Sequence, residues 1–190
     1  MLRVALTGPE STGKTTLSSL LADHYHTVWV PEYARAYLTE RGPQYALSDL
    51  EEMARGQLAA EEAAIREAAR RGRPVVFCDT DLLVIKIWSE HSFGYCPDWI
   101  LRRIEQQRYD LVLLLNVDMP WQPDPLREHP HHRAHFYALY QRELHGQLSN
   151  FAEISGPPAE RLEQACFHVD MLLDQFQDQP SERQPTAERN

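Results

Sequence analysis

The feature that most constrains this chain is a glycine-bounded stretch near its amino end, residues 8–15, which reads GPESTGKT. It fits the pattern G-x-x-x-x-G-K-[ST], and it lies between an apolar run typical of a strand (residues 3–7) and the start of a helix (residues 16–21). The two glycines let the backbone curl tightly and turn its N–H groups toward an anion, while the helix N-terminus adds the positive end of its dipole. The pattern therefore predicts a strand–loop–helix unit that binds phosphate.

The side chains of this phosphate loop supply what a nucleoside triphosphate requires. Lys14 places a mobile positive charge at the β- and γ-phosphates, Thr15 offers a hydroxyl to Mg2+, and Thr16 reaches the α-phosphate. A glycine-rich turn that binds nothing is disfavoured, because the four fixed positions and both flanking elements occur together. We therefore expect ATP and Mg2+ as cofactors. The expected cofactor-binding residues of the loop are Gly8, Glu10, Ser11, Thr12, Gly13, Lys14, Thr15 and Thr16.

Composition and charge limit the partners of the chain. Its 190 residues are 43% hydrophobic and 25% charged, which suits one globular domain with a full core. The net charge is −9 and no basic stripe occurs, so we expect no nucleic-acid partner. Three widely spaced cysteines indicate neither a disulfide framework nor a zinc site. Without a signal peptide or an apolar stretch of membrane-spanning length, the expectation is a cytoplasmic protein with no membrane partner.

Strand and helix patterns alternate along the chain. Predicted strands cover residues 3–7, 27–30, 74–78, 111–117 and 151–155, and predicted helices cover 13–24, 48–71, 82–90, 97–107, 136–148 and 158–176. The alternation predicts an α/β protein of the P-loop NTPase fold, with a five-stranded parallel sheet and helices on both faces. We expect residues 1–176 to form one domain. Residues 177–190 lack aromatic and β-branched apolar side chains and are predicted to be a disordered tail.

Carboxylates follow the third predicted strand. In parallel sheets ligands gather at the carboxyl ends of the strands, which places residues 79–81 beside the phosphate loop. Asp79 ends a buried apolar run and is expected to hold Mg2+ through water. Asp81 either shares that task, meets the substrate, or caps the helix that starts after it.

The segment after the second strand, residues 31–35, reads PEYAR. Glu32 stands where an acidic group can orient an acceptor hydroxyl or take its proton, and Arg35 can clamp a ribose or a phosphate. The alternative for these two residues is an i, i+3 surface ion pair. With Tyr33 between them, this segment is expected to face the substrate.

An irregular segment, residues 118–133, is rich in Pro, Asp, Arg and His. Arg127 and Arg133 are candidates for a lid that stabilises the negative charge of a transferred phosphoryl group, and a solvated loop is the alternative. Trp121 is a candidate for stacking on a heteroaromatic substrate, although core packing is the commoner fate of tryptophan. The histidines in and beside this segment fit no established metal-ligand spacing, so a solvated lid is preferred to a metal site.

Four short motifs occur in order: GPESTGKT at 8–15, PEYAR at 31–35, CDTD at 78–81 and DPLR at 124–127. Together they resemble the ribosylnicotinamide kinase domain of the NadR-type regulators of NAD biosynthesis, a branch of the AAA-type ATPase-like P-loop kinases. The resemblance runs from about residue 3 to residue 173. Full-length regulators of this kind also carry a DNA-binding segment and an adenylyltransferase domain before the kinase, and we expect neither activity in a chain that begins at the first kinase strand.

The resemblance implies a reaction and a set of roles. It implies transfer of the γ-phosphate of ATP to the 5′-hydroxyl of nicotinamide riboside, which gives nicotinamide mononucleotide. The acceptor could instead be a similar nucleoside. It further implies that Lys14, Thr15 and Thr16 bind ATP and Mg2+. Glu32 and Asp79 would face the riboside and the metal, and Arg127 and Arg133 would belong to the lid.

Two other classes of function stay open on the sequence. A nucleotide-dependent switch would bind ATP and report it to a partner, and it would not need the acceptor-side residues Glu32, Arg35 and Asp81. A polynucleotide end kinase is disfavoured by the acidic balance of the chain. The oligomeric state is not indicated.

Replacing the lysine of the loop tests the nucleotide site. Lys14→Ala should lower ATP-dependent turnover by about 100-fold or more, because a positive charge facing the phosphates is lost. The thermal unfolding midpoint should stay near that of the wild type, since the residue serves the phosphates and not the core. A steady-state assay and a melting curve provide both measurements, and an unchanged catalytic rate would refute the assignment.

Overall fold

The structure is a computed structural model that describes residues 1–106, 109–147 and 149–178. Strands and helices follow one another in the order β1 (Leu2–Thr7), α1 (Lys14–His24), β2 (Trp29–Val30), α2 (Tyr33–Arg41), α3 (Leu47–Arg70), β3 (Val75–Asp79), α4 (Leu82–Phe93), α5 (Asp98–Gln106), β4 (Leu111–Leu115), α6 (Arg133–Gly146), β5 (Phe151–Ile154) and α7 (Pro158–Gln177). The five strands form one parallel sheet in the order β2-β3-β1-β4-β5. The predicted fold class is confirmed.

Strand β1 lies at the centre of the sheet and is covered on both faces. Val4, Ala5 and Leu6 have no exposed surface, as expected for a strand that is buried by helices on both sides. Side chains alternate along the strands, so one set packs against α1 and α7 and the other set against α4 and α6. Because β1 is central, the loop that follows it emerges at the middle of the sheet's carboxyl edge.

A third cluster of buried side chains is formed between helices, without residues of the sheet among those described. It joins α2, α3, α4 and α5 through residues such as Leu38, Leu50, Met53, Ile85 and Ile100. This cluster fixes α2 against α3, so the residues at the start of α2 are held next to the carboxyl edge of the sheet. Helix α2 was not predicted from the sequence, because the motif PEYAR at residues 31–35 was interpreted only as a set of substrate-facing residues.

Several element boundaries differ from the prediction. β2 contains only Trp29–Val30, and β4 ends at Leu115. The helix predicted for residues 82–90 is longer in the structure, because α4 continues through Phe93 and ends where Gly94 adopts a positive φ of 78°. α3 begins at Leu47, one residue before its predicted start at residue 48, and the Asp49 carboxylate accepts the N–H of Ala46 at 2.7 Å.

Parts of the prediction fall outside the described residues. These are the ends of two predicted helices, Gln107 and Leu148, and the predicted disordered tail from residue 179 onward. The assignment of residues 1–176 to one domain stays a prediction, and α7 runs one residue past its predicted end, to Gln177. Within the described ranges, no helix has both the length and the apolar composition needed to cross a membrane.

Candidate active site

The phosphate loop joins β1 to α1 through a tightly curled backbone. Gly8 has φ 133° and lies so close to β4 that a Cβ atom there would sit 2.9 Å from the carbonyl oxygen of Leu115. Gly13 has φ 85° and precedes the first residue of α1. Inside the curl, the hydroxyl of the buried Thr12 donates to the carbonyl oxygen of Pro9 at 2.9 Å. Both glycines are therefore required, the first by sterics and conformation and the second by conformation.

A cavity of about 130 Å³ opens above the loop. Residues 8–16 form its floor, and residues of α2, α4, the segment before α6 and α6 itself form its walls. The wall residues are Glu32, Arg35, Leu38, Val84, Trp88, Leu126, Arg127, His129, Arg133, Phe136 and Tyr140. The structure therefore brings together Glu32, Arg35, Arg127 and Arg133, which are separated by up to about a hundred positions in the sequence.

The ammonium group of Lys14 lies against the backbone of the phosphate loop. Its Nζ donates to the carbonyl oxygens of Gly8 at 2.9 Å and Pro9 at 2.8 Å. The positive charge of Lys14 lowers the pKa of Glu32 and of Asp79, although burial outweighs it in both cases and the net pKa is raised. A bound polyphosphate would replace those two carbonyl partners with charged oxygens, which are stronger acceptors.

Asp79 and Thr15 meet beside the cavity. The Thr15 hydroxyl donates to Oδ2 of Asp79 at 2.5 Å, and Asp79 is only 1% exposed. Its other oxygen, Oδ1, is buried without a hydrogen-bond partner, and burial raises the pKa of the carboxyl group. An unpartnered buried carboxylate oxygen next to a hydroxyl matches the oxygen ligands that Mg2+ prefers, so the residues present fit this ion.

Glu32 lies at the start of α2 with a side chain that is 17% exposed. Burial is the main cause that raises the pKa of its carboxyl group. The Oε2 atom of Glu32 lies 4.0 Å from the Nε atom of Arg35, so this i, i+3 ion pair is a weak contact. The better partner of Arg35 is Asp124, whose Oδ2 lies 3.0 Å from Nη1 and belongs to the segment before α6. Arg35 thus joins α2 to that segment.

Besides Asp79, which lies beside the cavity, three other predicted substrate residues do not line it. Asp81 is buried and caps α4: its Oδ1 accepts the Thr7 hydroxyl at 3.1 Å and the N–H of Val84 at 3.3 Å, and burial raises its pKa to about 6. The helix-cap alternative therefore describes its position. Tyr33 packs its ring against α3 at Gly56. Trp121 lies outside the walls and packs beside the arginines described next.

The segment 118–132, here called the lid, is fastened to the phosphate loop. The Glu10 carboxylate accepts the N–H groups of Glu128 and His129 at 3.2 Å each, and the Ser11 hydroxyl oxygen accepts the N–H of Gln122 at 2.8 Å. Glu10 and Ser11 were predicted to bind the cofactor, and in the structure their side chains hold the lid.

Arginine side chains complete the contact between lid and loop. Arg133 donates to the carbonyl oxygens of Ser11 at 3.3 Å and Met119 at 2.9 Å, and Arg127 donates to the Ser11 hydroxyl at 3.4 Å. The guanidinium carbons of Arg127 and Arg133 lie 5.9 and 5.7 Å from the ring centre of Trp121. Both arginines therefore carry their charge to the rim of the phosphate loop.

Arg161 is a buried residue of the site that sequence reasoning missed. It is 2% exposed and donates to the carbonyl oxygens of Thr12 at 2.7 Å, Gly156 at 2.7 Å and Asn116 at 3.0 Å, and it pairs with Asp118. It thus ties the back of the loop to the ends of β4 and β5. No local signal identifies it, because an arginine on an amphipathic helix is ordinarily exposed.

The histidines pack with each other instead of converging on an ion. The rings of His91 and His129 have centroids 4.8 Å apart, and Phe136 touches both. Partial burial and the neighbouring imidazoles lower the pKa of His91. In the described part of the chain, no group of three or more His, Cys, Asp or Glu side chains is arranged to hold a metal ion.

Comparison with known proteins identifies relatives. The sequence profile of AAA_28, described as an AAA domain, matches residues 3–161. The trifunctional NAD biosynthesis/regulator protein NadR of Escherichia coli (strain K12) is 34% identical over 128 residues, which are 65% of this chain and 30% of that protein. The chain thus spans about 30% of the length of this curated relative.

Two crystal structures have the same fold. A NadR protein in complex with NR matches with a TM-score of 0.68 and 23% identity, over 90% of this chain and 51% of that one. A NadR protein in complex with NAD and AMP-PNP matches with a TM-score of 0.70 and 24% identity, over 97% of this chain and 51% of that one. At these identities the likeness establishes the fold.

The contact between Glu10 and the lid predicts a change in lid mobility. Glu10→Ala removes the acceptor of two lid N–H groups, so trypsin should cut after Arg127 several-fold faster than in the wild type. Glu10→Gln is the control, because its amide oxygen still accepts. Equal cleavage rates in all three proteins would show that Glu10 does not restrain the lid.

Proposed function

We propose that this chain, which belongs to the AAA domain family AAA_28, is an ATP-dependent kinase that phosphorylates the 5′-hydroxyl of nicotinamide riboside. The product would be nicotinamide mononucleotide, and residues 1–176 would form the kinase domain. One observation carries this proposal: a half-buried carboxylate, Glu32, shares a cavity with the lysine of the phosphate loop. A carboxylate near the transferred phosphate would repel it, so its presence there is best explained by an acceptor hydroxyl.

The names of the relatives support this choice of pathway and acceptor. The 34% identical protein is named for NAD biosynthesis, and the matched NadR structures are described with NR and with NAD and AMP-PNP. Because the chain spans only part of those proteins, their other activities are not transferred to it.

In the proposed reaction Glu32 accepts the proton of the 5′-hydroxyl. The hydroxyl oxygen forms a bond to the γ-phosphorus, and the bond from that phosphorus to the bridging oxygen of ADP breaks. Lys14 neutralises charge on the β- and γ-phosphates, and Arg127 and Arg133 stabilise the equatorial oxygens from the lid side. Mg2+, held by Thr15 and Asp79, would supply charge neutralisation on the phosphates when bound.

The aromatic part of the cavity wall suits a nucleoside whose base is cationic. Trp88, Phe136 and Tyr140 give the cavity an aromatic side next to Leu38 and Val84. The nicotinamide ring of the riboside carries a positive charge, which aromatic faces attract when it lies within about 6 Å of the ring centre. Neutral nucleosides lack this attraction, so we expect them to be weaker acceptors.

An ATP-binding switch without kinase activity is the second candidate. It is favoured by the hydrogen bonds that join the lid and Arg133 to Glu10 and Ser11 of the loop, since a nucleotide bound there would alter the lid. A switch, however, has no use for a buried carboxylate at the acceptor side. We therefore prefer the kinase.

A panel of nucleosides with ATP and Mg2+ tests the function. ADP should form only when an acceptor is present, and nicotinamide riboside should give a higher kcat/KM than adenosine, cytidine or uridine. Acceptor-independent nucleotide binding with no phosphorylated product from any nucleoside would favour the switch.

Replacing Glu32 tests the proposed base. Glu32→Gln should lower kcat by about 10²- to 10⁴-fold with little change in ATP affinity, because a general base is lost. In the wild type, kcat should fall as pH decreases through the Glu32 pKa, which burial places above the ordinary glutamate value of about 4.3. Equal losses in turnover and ATP binding would point to a structural role.

Glu32→Gln is also expected to be as stable as the wild type or more stable. A raised folded-state pKa means that the ionised Glu32 is disfavoured by the fold, so wild-type stability falls as pH rises through that pKa. Glutamine carries no such charge. Urea unfolding should therefore find Glu32→Gln at least as stable as the wild type above this pH, which separates its activity loss from a folding defect.

A further inference from the structure

The residue that precedes helix α2 does not cap the helix with its side chain. Glu32 occupies the N-cap position, with φ −57° and ψ 110°, yet its carboxylate makes no capping hydrogen bond. The first N–H of the helix, that of Tyr33, is instead donated to Oε1 of Gln57 on α3 at 3.0 Å. Gln57 is 3% exposed, so this acceptor is a buried side chain from another helix. One of the orphan donors of α2 is thus satisfied from outside.

A second contact on α3 holds the same residue. Gly56 lies against the ring of Tyr33 so closely that a Cβ atom at this position would overlap the ring carbons. The backbone N–H and the side chain of Tyr33 are therefore both fixed by neighbouring residues of one helix. Since Tyr33 follows Glu32 directly, its fixed position also sets the direction of the Glu32 Cα–Cβ bond.

The amide of Gln57 has a defined orientation. Its Nε2 donates to Oε1 of Glu61 at 3.5 Å, one turn further along α3, and the same Glu61 oxygen accepts the hydroxyl of Tyr109 at 2.8 Å. With the donor end of the amide directed at a carboxylate, the acceptor end faces Tyr33. Glu61 is itself buried, so this polar chain is shielded from solvent that could exchange its partners.

The missing cap has a consequence for Glu32. The side chain of an N-cap residue can accept the N–H groups two and three positions further on, here those of Ala34 and Arg35, and the helix dipole favours a negative charge there. Such a bond would turn the Glu32 carboxylate away from the cavity. In the structure Glu32 lines the cavity, while α3 supplies the contact that stabilises the start of α2.

We propose that Gln57, supported by Gly56, is a positioning residue: it holds Tyr33 at the start of α2 so that Glu32 faces the cavity instead of capping the helix. The inference deepens the proposed function, because it assigns the residue that aims the proposed base. Gln57 itself touches neither the cavity nor the acceptor.

Gln57→Met tests the proposal, because methionine keeps the length of the side chain and removes the acceptor. With Tyr33 no longer held, the Glu32 carboxylate should be able to turn toward the N–H groups of Ala34 and Arg35, which an N-cap side chain can reach, and its pKa should fall toward or below the ordinary glutamate value. The measurement is a ¹³C NMR titration of carboxyl-labelled glutamate, with Glu32→Gln identifying the resonance. In kinetics, kcat should fall at least tenfold while KM for ATP changes less than twofold, and the acidic limb of the pH profile should move to lower pH.

Matched variants separate positioning from stability. Gln57→Glu keeps an oxygen acceptor toward Tyr33, and in the protonated form that burial beside Glu61 favours it also keeps a donor toward Glu61, so the shift seen with Met should be absent. Ala68→Gly weakens the same helix away from Tyr33 and should leave the Glu32 pKa unchanged. If Gln57→Met does not fold, Gln57→Asn withdraws the oxygen by one methylene and should show the same direction of shift.

Two results would overturn the inference. One is an unchanged Glu32 pKa when the acceptor is removed, and the other is an equal shift in Ala68→Gly. The NMR titration needs no acceptor nucleoside, so it remains decisive even if the wild type phosphorylates none. That last outcome would refute the proposed function alone.

Discussion

The site depends on one close approach between backbones, that of Gly8 to the carbonyl oxygen of Leu115. Because β1 is the central strand, its continuation has strand tips on both sides, and only a residue without a Cβ atom can turn there. The buried guanidinium of Arg161 then binds carbonyl oxygens of the loop and of the neighbouring strand ends. Gly8 and Arg161 thus hold the loop against the ends of the strands, and the loop also faces the cavity and the lid.

The carboxyl groups of Glu32 and Asp79, at this edge of the sheet, are largely removed from water, which disfavours their charged form. Burial raises the pKa of both Glu32 and Asp79, and Lys14 opposes it in both cases. Asp79 also keeps an oxygen without a hydrogen-bond partner. Arrangements of this kind cost folding stability and recur at functional sites, where a ligand or ion supplies the missing partner. Asp81 differs from Asp79, because its carboxylate accepts hydrogen bonds from Thr7 and Val84 within the fold and leaves no such role for a ligand.

Sequence reasoning succeeded where the signal is local. The loop motif, the five apolar runs and the alternation with helices rest on neighbouring residues, and the structure has the predicted sheet. It failed where a role depends on distant contacts. Glu10 binds residues 118 and 119 positions away, Arg161 binds a carbonyl 149 positions away, and Gln57 reaches Tyr33 across 24 positions. No periodicity or motif encodes such pairs, since each partner is an ordinary polar residue in its own segment.

The ion pair between Arg35 and Asp124 links the two halves of the cavity. Arg35 stands one helical turn from Glu32, while Asp124 belongs to the lid, which is hydrogen-bonded to the phosphate loop. A molecule that engages either partner competes with the other for the same charge. If the proposed acceptor and nucleotide bind on the two sides of this pair, a ligand that engages Arg35 or Asp124 would weaken the bridge, and the two binding events would then influence each other reciprocally.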